Sequence, residues 1–333
     1  MNSAQAVTAN FTQQLPTYAL TVSSTGSGTV TSQPAGINCP PSCTGNYNSG
    51  TPVTLTATPA SGWMLSGWGG ACSSTGLCPV IMNSTKSVIA TFLRQATTVS
   101  AANYAGGEQA AESIVSAFGL QLSSITQAAP SLPLPFMLGG SQVLVKDSKG
   151  GERPAPLFYV SPGQLNFQIP KDTAEGIATV TVLNGGVATN SGLVIIGKVS
   201  PALFSANSTG SGFAAASALH VRADGSRNEE VVARFDTGQN KFVAVPIDLG
   251  AESEQVFLTL YGTGLKNRSG LANVKVKIGG VDVPADYAGA QGFFVGLDQV
   301  NVKIPRSLIG RGEVNLELIV DGKAANVLKA AVK

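Results

Sequence analysis

Residues 159–170 read YVSPGQLNFQIP, and residues 294–305 read FVGLDQVNVKIP, an offset of 135 positions. Gln164 falls over Gln299, Asn166 over Asn301 and Pro170 over Pro305. Two further matches occur in the same order. IVSAFGLQL at 114–122 parallels FLTLYGTGL at 257–265, and GIATVTVLNGGVATN at 176–190 parallels GEVNLELIVDGKAAN at 312–326. Their offsets are 143 and 136 positions, so the chain from about residue 97 onward is one folding unit written twice. Any fold assigned to it must accept both copies.

The unit itself is built of strands. Gln164, Asn166 and Gln168 alternate with Leu165, Phe167 and Ile169, which puts amides on one side of a strand and large apolar groups on the other. Several such runs per copy, separated by Gly-Gly, Asp-Gly and Ser-Pro-Gly turns, give the pattern of a β-sandwich of ~100 residues. We read 97–199 and 200–333 as two related immunoglobulin-like β-sandwiches. The extra strands of 200–250, such as ALHVRADG and FVAVPIDLG, go to the second.

A second periodicity lies at the N-terminus. MNSAQAVTANF at 1–11 matches MNSTKSVIATF at 82–92, a spacing of 81 residues. Val7, Ala9 and Phe11 alternate as Val88, Ala90 and Phe92 do. Residues 1–14 therefore read as the closing strand of a truncated preceding repeat, followed by a small β-repeat domain at 17–93. A strand without its own sheet is expected to fray or to pair with a second copy through residues 1–11. Met1 then stands inside a longer protein, with a secretion signal expected upstream.

The chemistry of the side chains narrows the function. Of 333 residues, 12% are charged against a typical ~25%, and the net charge is +2. That balance is too small to imply a nucleic-acid or anionic-membrane partner, so none is expected, and no apolar run approaches the ~18 residues of a membrane span. The one histidine, His220, sits in ALHVRADG, where the alternation places it on an exposed strand face. A His-dependent triad or HExxH zinc site would need it or a second histidine, and no GxSxG elbow occurs. No catalytic, metal or cofactor-binding residues are assigned.

The four cysteines form two close pairs, CPPSC and CSSTGLC. Zinc sites favour C-x2-4-C spacing with histidine or carboxylate neighbours, which the second pair lacks. Local disulfides Cys39–Cys43 and Cys72–Cys78 are expected, one of the three connectivities that four cysteines allow, and they point to an oxidising compartment. Trp63 and Trp68, in SGWMLSGWGG, are read as core or turn packing, with sugar stacking as the alternative. Asn166 and Asn301 are read as fastening neighbouring loops through backbone hydrogen bonds, because asparagine is otherwise depleted in strands. Tyr287 is a further candidate ligand contact.

Two family resemblances follow. GINCPPSC, GTPVTLTATPASGW, GWGGAC and SVIATF make residues 18–93 similar to the divergent internalin-type B-repeat of bacterial secreted proteins. SIVSAFG, YVSPGQLNFQIP, SPALFSANSTGSG, LYGTGLKNRSG and GKAAN make residues 97–333 resemble the Solibacter-type C-terminal domain, a bacterial family of unassigned function. Neither resemblance implies a reaction. The combined expectation is a non-catalytic structural or adhesive module of a secreted or surface-displayed bacterial protein. Its partners would be other domains of the parent chain. The alternative is a polysaccharide-binding accessory module using Trp63, Trp68 or Tyr287.

Overall fold

A computed structural model describes residues 5–9 and 14–333. Among these residues there is no α-helix; strands and turns make up the fold, with two single-turn 3-10 segments. The chain divides into two compact units, Met1–Arg94 and Gln95–Lys333.

In the first unit, Thr17–Thr25 pairs antiparallel with Thr44–Asn48 and parallel with residues 86–91, setting Val22 beside Val88. Trp63–Gly70 adds to the other side of that closing strand. A second sheet orders Asn38–Cys39, Gly28–Gln33, Pro52–Pro59 and Cys78–Ile81. The period-2 pattern does what the sequence predicts: Val88, Ala90 and Phe92 are buried, as are Val53 and Leu55. They meet Leu20, Val22, Val30, Trp68 and Met82 in one core. The closing strand read over residues 1–11 lies largely outside the described residues; residues 5–9 carry no strand, and Val7 is 92% exposed.

The second unit holds two β-sandwiches. In the first, one sheet orders Gln127–Ala128, Leu157–Val160, Gln164–Gln168, Ile114–Gly119 and residues 96–100; the other runs through Val187–Gly197, Gly176–Asn184 and Ser141–Lys146. Val115, Ala117, Leu165 and Phe167 from one face interdigitate with Val143, Val145, Val180, Val182 and Ile196 from the other. In the second sandwich Ala216–Val221, Gln255–Thr263, Asp298–Lys303 and the end of Val281–Ala290 form one sheet; Val274–Ile278, Gly312–Val320 and Leu328–Val332 form the facing one. Ile247, Leu249 and Val232 join its core, so the 200–250 stretch packs with the second sandwich.

Registers show that the two sandwiches repeat one arrangement. Asn166 lies opposite Ser116 on one side and Tyr159 on the other. Asn301 lies opposite Thr259 and Tyr287. Both outer strands carry an irregularity just before the tyrosine, between Leu157 and Tyr159 and between Ala285 and Tyr287. Bulges of this kind re-aim a side chain, and here each tyrosine is set on the amide-bearing face.

His220 departs from its expected position. It is buried at 9% exposure, on the inner face with Ala216 and Ala218, while Leu219 and Val221 are half-exposed. Its Nε2 lies 3.0 Å from Glu230 Oε1 on the adjacent edge strand Arg227–Val231. Alternation fixes which residues share a face but not which face is inward. Two alanines on the inner side leave volume that the imidazole fills.

The sandwiches meet through a polar seam. Ile114 N–H donates to Thr263 Oγ1 at 2.8 Å and Ser200 Oγ to the Glu108 carbonyl at 2.6 Å. Lys266 pairs with Glu112 at 2.6 Å, and Lys323 pairs with Glu108.

Candidate functional site

Both disulfides are formed, Cys39–Cys43 and Cys72–Cys78, with Cα separations of 4.4 and 5.8 Å. Cys39 and Cys78 are buried in the first unit's core. The sulfurs are thus consumed as staples, and they hold loops whose Gly/Ser/Pro composition gives little packing of its own. Trp68 is buried at 7%, and its indole N–H donates to the Gly76 carbonyl at 2.7 Å, inside the Cys72–Cys78 loop. Trp63 packs at the core margin with the Arg94 guanidinium 4.9 Å from its ring centroid. One tryptophan is enclosed, and the other has a cation over its face.

The amides differ in detail from the loop-fastening role expected of them. Asn166 Oδ1 accepts from Ser116 Oγ and Gln164 Nε2, both at 2.8 Å, and Asn301 Oδ1 accepts from Gln299 Nε2 at 3.1 Å. These bonds run along and across strands on the sheet's outer face. The strand pleat keeps Gln and Asn two residues apart on one side, close enough to join directly. Loop fastening falls instead to Asn190 and Asn326, the aligned asparagines that end the third matched segment. Asn190 Nδ2 donates to the Leu120 carbonyl at 3.0 Å. Asn326 accepts from Leu203 N–H at 2.8 Å and donates to the carbonyls of Leu203 and Gly210 at 3.0 and 2.9 Å. The alignment of VATN with KAAN was the signal for them. We predict that Asn326→Ala lowers the stability of the second unit by about 1–2 kcal/mol by orphaning buried backbone groups of Leu203. Hydrogen exchange of the 202–215 backbone checks this, and should show faster exchange there than in Asn190→Ala.

Charge concentrates at the seam between the sandwiches. Glu112, Gln168, Lys266, Phe293, Phe294 and Asp298 border a cavity of about 270 Å³. Asp298 is 3% exposed. Burial pushes its carboxyl up to about 6, against the pull of the Leu265 and Lys266 backbone N–H groups and the Lys266 charge; the Glu112 charge pushes the same way as burial. The carboxylate accepts from Leu265 N–H at 2.9 Å, so it caps the turn after the Gln255–Thr263 strand. Elsewhere the Arg153 guanidinium, 2.7 Å away, holds Asp147 down at about 2. Among the described residues no cluster of three or more His, Cys, Asp or Glu side chains is arranged to hold a metal.

The outer face of the second sandwich carries a different set. Tyr261 lies opposite Gln299, and Thr259 and Tyr287 flank Asn301. Ser217 continues the Thr259 row, donates to Glu229 at 2.5 Å and lies 3.4 Å from the Tyr261 hydroxyl. Tyr261, Ser217, Glu229 and Ala214–216 border a cavity of about 540 Å³.

Residues 18–110 match the divergent InlB B-repeat domain family. The match takes in both disulfides and runs 16 residues past Arg94 into the second unit, beyond the boundary near residue 93 expected from the sequence. Nothing in the comparisons supports the resemblance of residues 97–333 to the Solibacter-type domain. No curated protein matches the chain.

Proposed function

We propose that this chain is a non-catalytic structural and adhesive module of a larger bacterial surface or secreted protein, acting outside the cell. The observation that carries the reading is the pair of closed disulfides within a small unit that matches the InlB B-repeat family. Such staples persist in oxidising compartments, and the B-repeat match points to a bacterial surface-associated module. The polar seam fits a display role, since two sandwiches tied by two ion pairs and several backbone bonds present their outer faces in a fixed relation. The module's partners would be neighbouring domains of the parent protein and surface material.

Location tests the proposal directly. Antibody against the chain is expected to label intact, unpermeabilised cells or to detect the protein in the medium, with all four cysteines resistant to alkylation before reduction. Labelling only after permeabilisation, together with free thiols, would overturn it.

A further inference from the structure

We propose that the outer face of the second sandwich binds a neutral polysaccharide, with Tyr287 as the stacking platform and Gln299 and Asn301 as the hydrogen-bonding groups. This goes beyond the display role, which holds equally with the face bare.

The platform is built by the backbone. Tyr287 donates its hydroxyl proton to the Ala290 carbonyl at 2.6 Å. A Cβ placed on Gly289 would meet the Tyr287 Oη at 3.1 Å and Cζ at 3.4 Å, and the Arg268 Nη1 at 3.4 Å, so one guanidinium borders the ring and the alginate arm below separates its charge from stacking. The ring therefore lies down along its own strand over the glycine instead of standing off the sheet, and the residue stays 40% exposed. An aromatic ring carries a negative face, which suits the C–H-lined flat side of a pyranose. Gly289 is buried beneath it and leaves room that any side chain would fill.

Beside the ring stand unused polar groups. The Gln299–Asn301 bond engages one donor and one acceptor. The Asn301 Nδ2 and Gln299 Oε1 have no protein partner among the described residues, and both residues are half-exposed. One donor and one acceptor, side by side at the edge of a flat ring, are what adjacent sugar hydroxyls require. Tyr261 stands on the far side of the same strand, two strand spacings or roughly 10 Å from the row of Tyr287. It opens onto the 540 Å³ cavity bordered by Ser217 and Glu229, a size in the range of small-ligand sites. The result is an open run of ring, amides, ring and pocket, fit for a chain molecule.

Other occupants fit less well. The Asp298–Lys303 strand is paired on both sides, so no edge is open to a peptide strand there. The first sandwich repeats the amides, but Ser116 also engages Asn166, Phe118 packs at 6.2 Å from Tyr104, and Ser161 stands where the second copy has Gly289. Its Tyr159 therefore has no glycine shelf, and we assign the site to the second copy alone.

Affinity electrophoresis of the full chain in gels containing hydroxyethylcellulose, galactomannan, soluble starch or alginate tests this. Retardation is expected in at least one of the three neutral polymers and should survive added salt. Tyr287→Ala and Asn301→Ala are each expected to weaken it about tenfold, the loss of one well-made contact. Tyr287→Phe keeps the ring and should stay within about threefold, and Tyr159→Ala should change nothing. Asn301→Ala opens no core cavity, so the test holds even where Tyr287→Ala destabilises the sheet. Retardation by none of the neutral polymers, retardation in alginate alone that salt abolishes, or binding untouched by both Tyr287→Ala and Asn301→Ala would overturn the proposal.

Discussion

Reducing both disulfides is expected to lower the stability of the first unit by about 4 kcal/mol and to leave the second unit unchanged. Each bridge closes a very short loop, 4 and 6 residues apart in sequence. On the chain-entropy relation a loop of that length contributes about 2 kcal/mol. A unit of this size has a total stability of only about 4–12 kcal/mol, so the two bridges together decide whether it stays folded. Both tryptophans, Trp63 and Trp68, lie in the first unit, and the chain has no others. Their fluorescence therefore reports that unit alone in a urea titration of the full chain. The reduced protein should unfold at markedly lower urea, with a slope equal to or somewhat steeper than that of the oxidised protein, because the unfolded chain is no longer held compact. Because Trp68 donates into the Cys72–Cys78 loop, Cys72→Ser/Cys78→Ser should also shift its emission in the folded state, whereas Cys39→Ser/Cys43→Ser should not. Coincident titration curves for oxidised and reduced protein would show that the staples are incidental.

Much of this architecture is legible in the sequence. The triple match at 114–122, 159–170 and 176–190 fixed two copies of one unit, and registers around Asn166 and Asn301 repeat it down to the irregularity before each tyrosine. Local pairing of the cysteines was legible because the loops are too short for much else. What escaped was sidedness. Leu219 and Val221 outrank His220 in hydrophobicity, so the pattern alone points it outward, yet the sheet turns Ala216, Ala218 and His220 inward. Pattern gives period, while the sign of the face depends on which side meets the opposing sheet, a non-local fact. The amide row failed for a related reason. Rarity of asparagine in strands suggests loop contacts for Asn166 and Asn301, but their bonding partners are set by strand neighbours, brought together from 50 residues away in the case of Ser116. Tyr287 could be named from the sequence as a candidate contact, but not the lie of its ring, since the glycine two positions on matters only once the ring is seen to lie over it.

Titration of Asp298 gives the second large effect, with a sign opposite to that usual for a carboxylate. Its pKa stands at about 6 in the fold against 3.8 for the ordinary side chain, chiefly through burial. The folded state thus holds the proton more tightly than the unfolded chain. Its contribution is fully present below pH 3.8 and is lost as the pH rises through about 6, a difference of about 3 kcal/mol. Asp147, Asp224, Asp236, Asp248 and Asp321 run the other way, each held below 3.8 by hydrogen bonds or nearby cations. Their support is present above pH 3.8 and falls away under it. The second unit should therefore be most stable near about pH 4, losing stability on both sides. Asp298→Asn removes the charge and keeps an oxygen for the Leu265 N–H. The variant is expected to be flat between pH 4 and 7, and at pH 7 more stable than the parent by up to about 3 kcal/mol. Urea-dependent hydrogen exchange of the 255–263 and 298–303 strands follows this unit without interference from the first. A parent protein whose core amides grow more protected from pH 4 to 7, after correction for intrinsic exchange, would place the proton elsewhere. So would an Asp298→Asn variant that keeps the parent's slope. Ionisation strengthens the cap on the Leu265 and Lys266 N–H groups, so the loss comes from the buried charge and from Glu112 beside it. Opening the seam where Glu112 meets Lys266 returns that charge to water, and the junction should therefore loosen first. Exchange at residues 263–267 and 108–114 should then rise ahead of the core strands as the pH climbs through about 6.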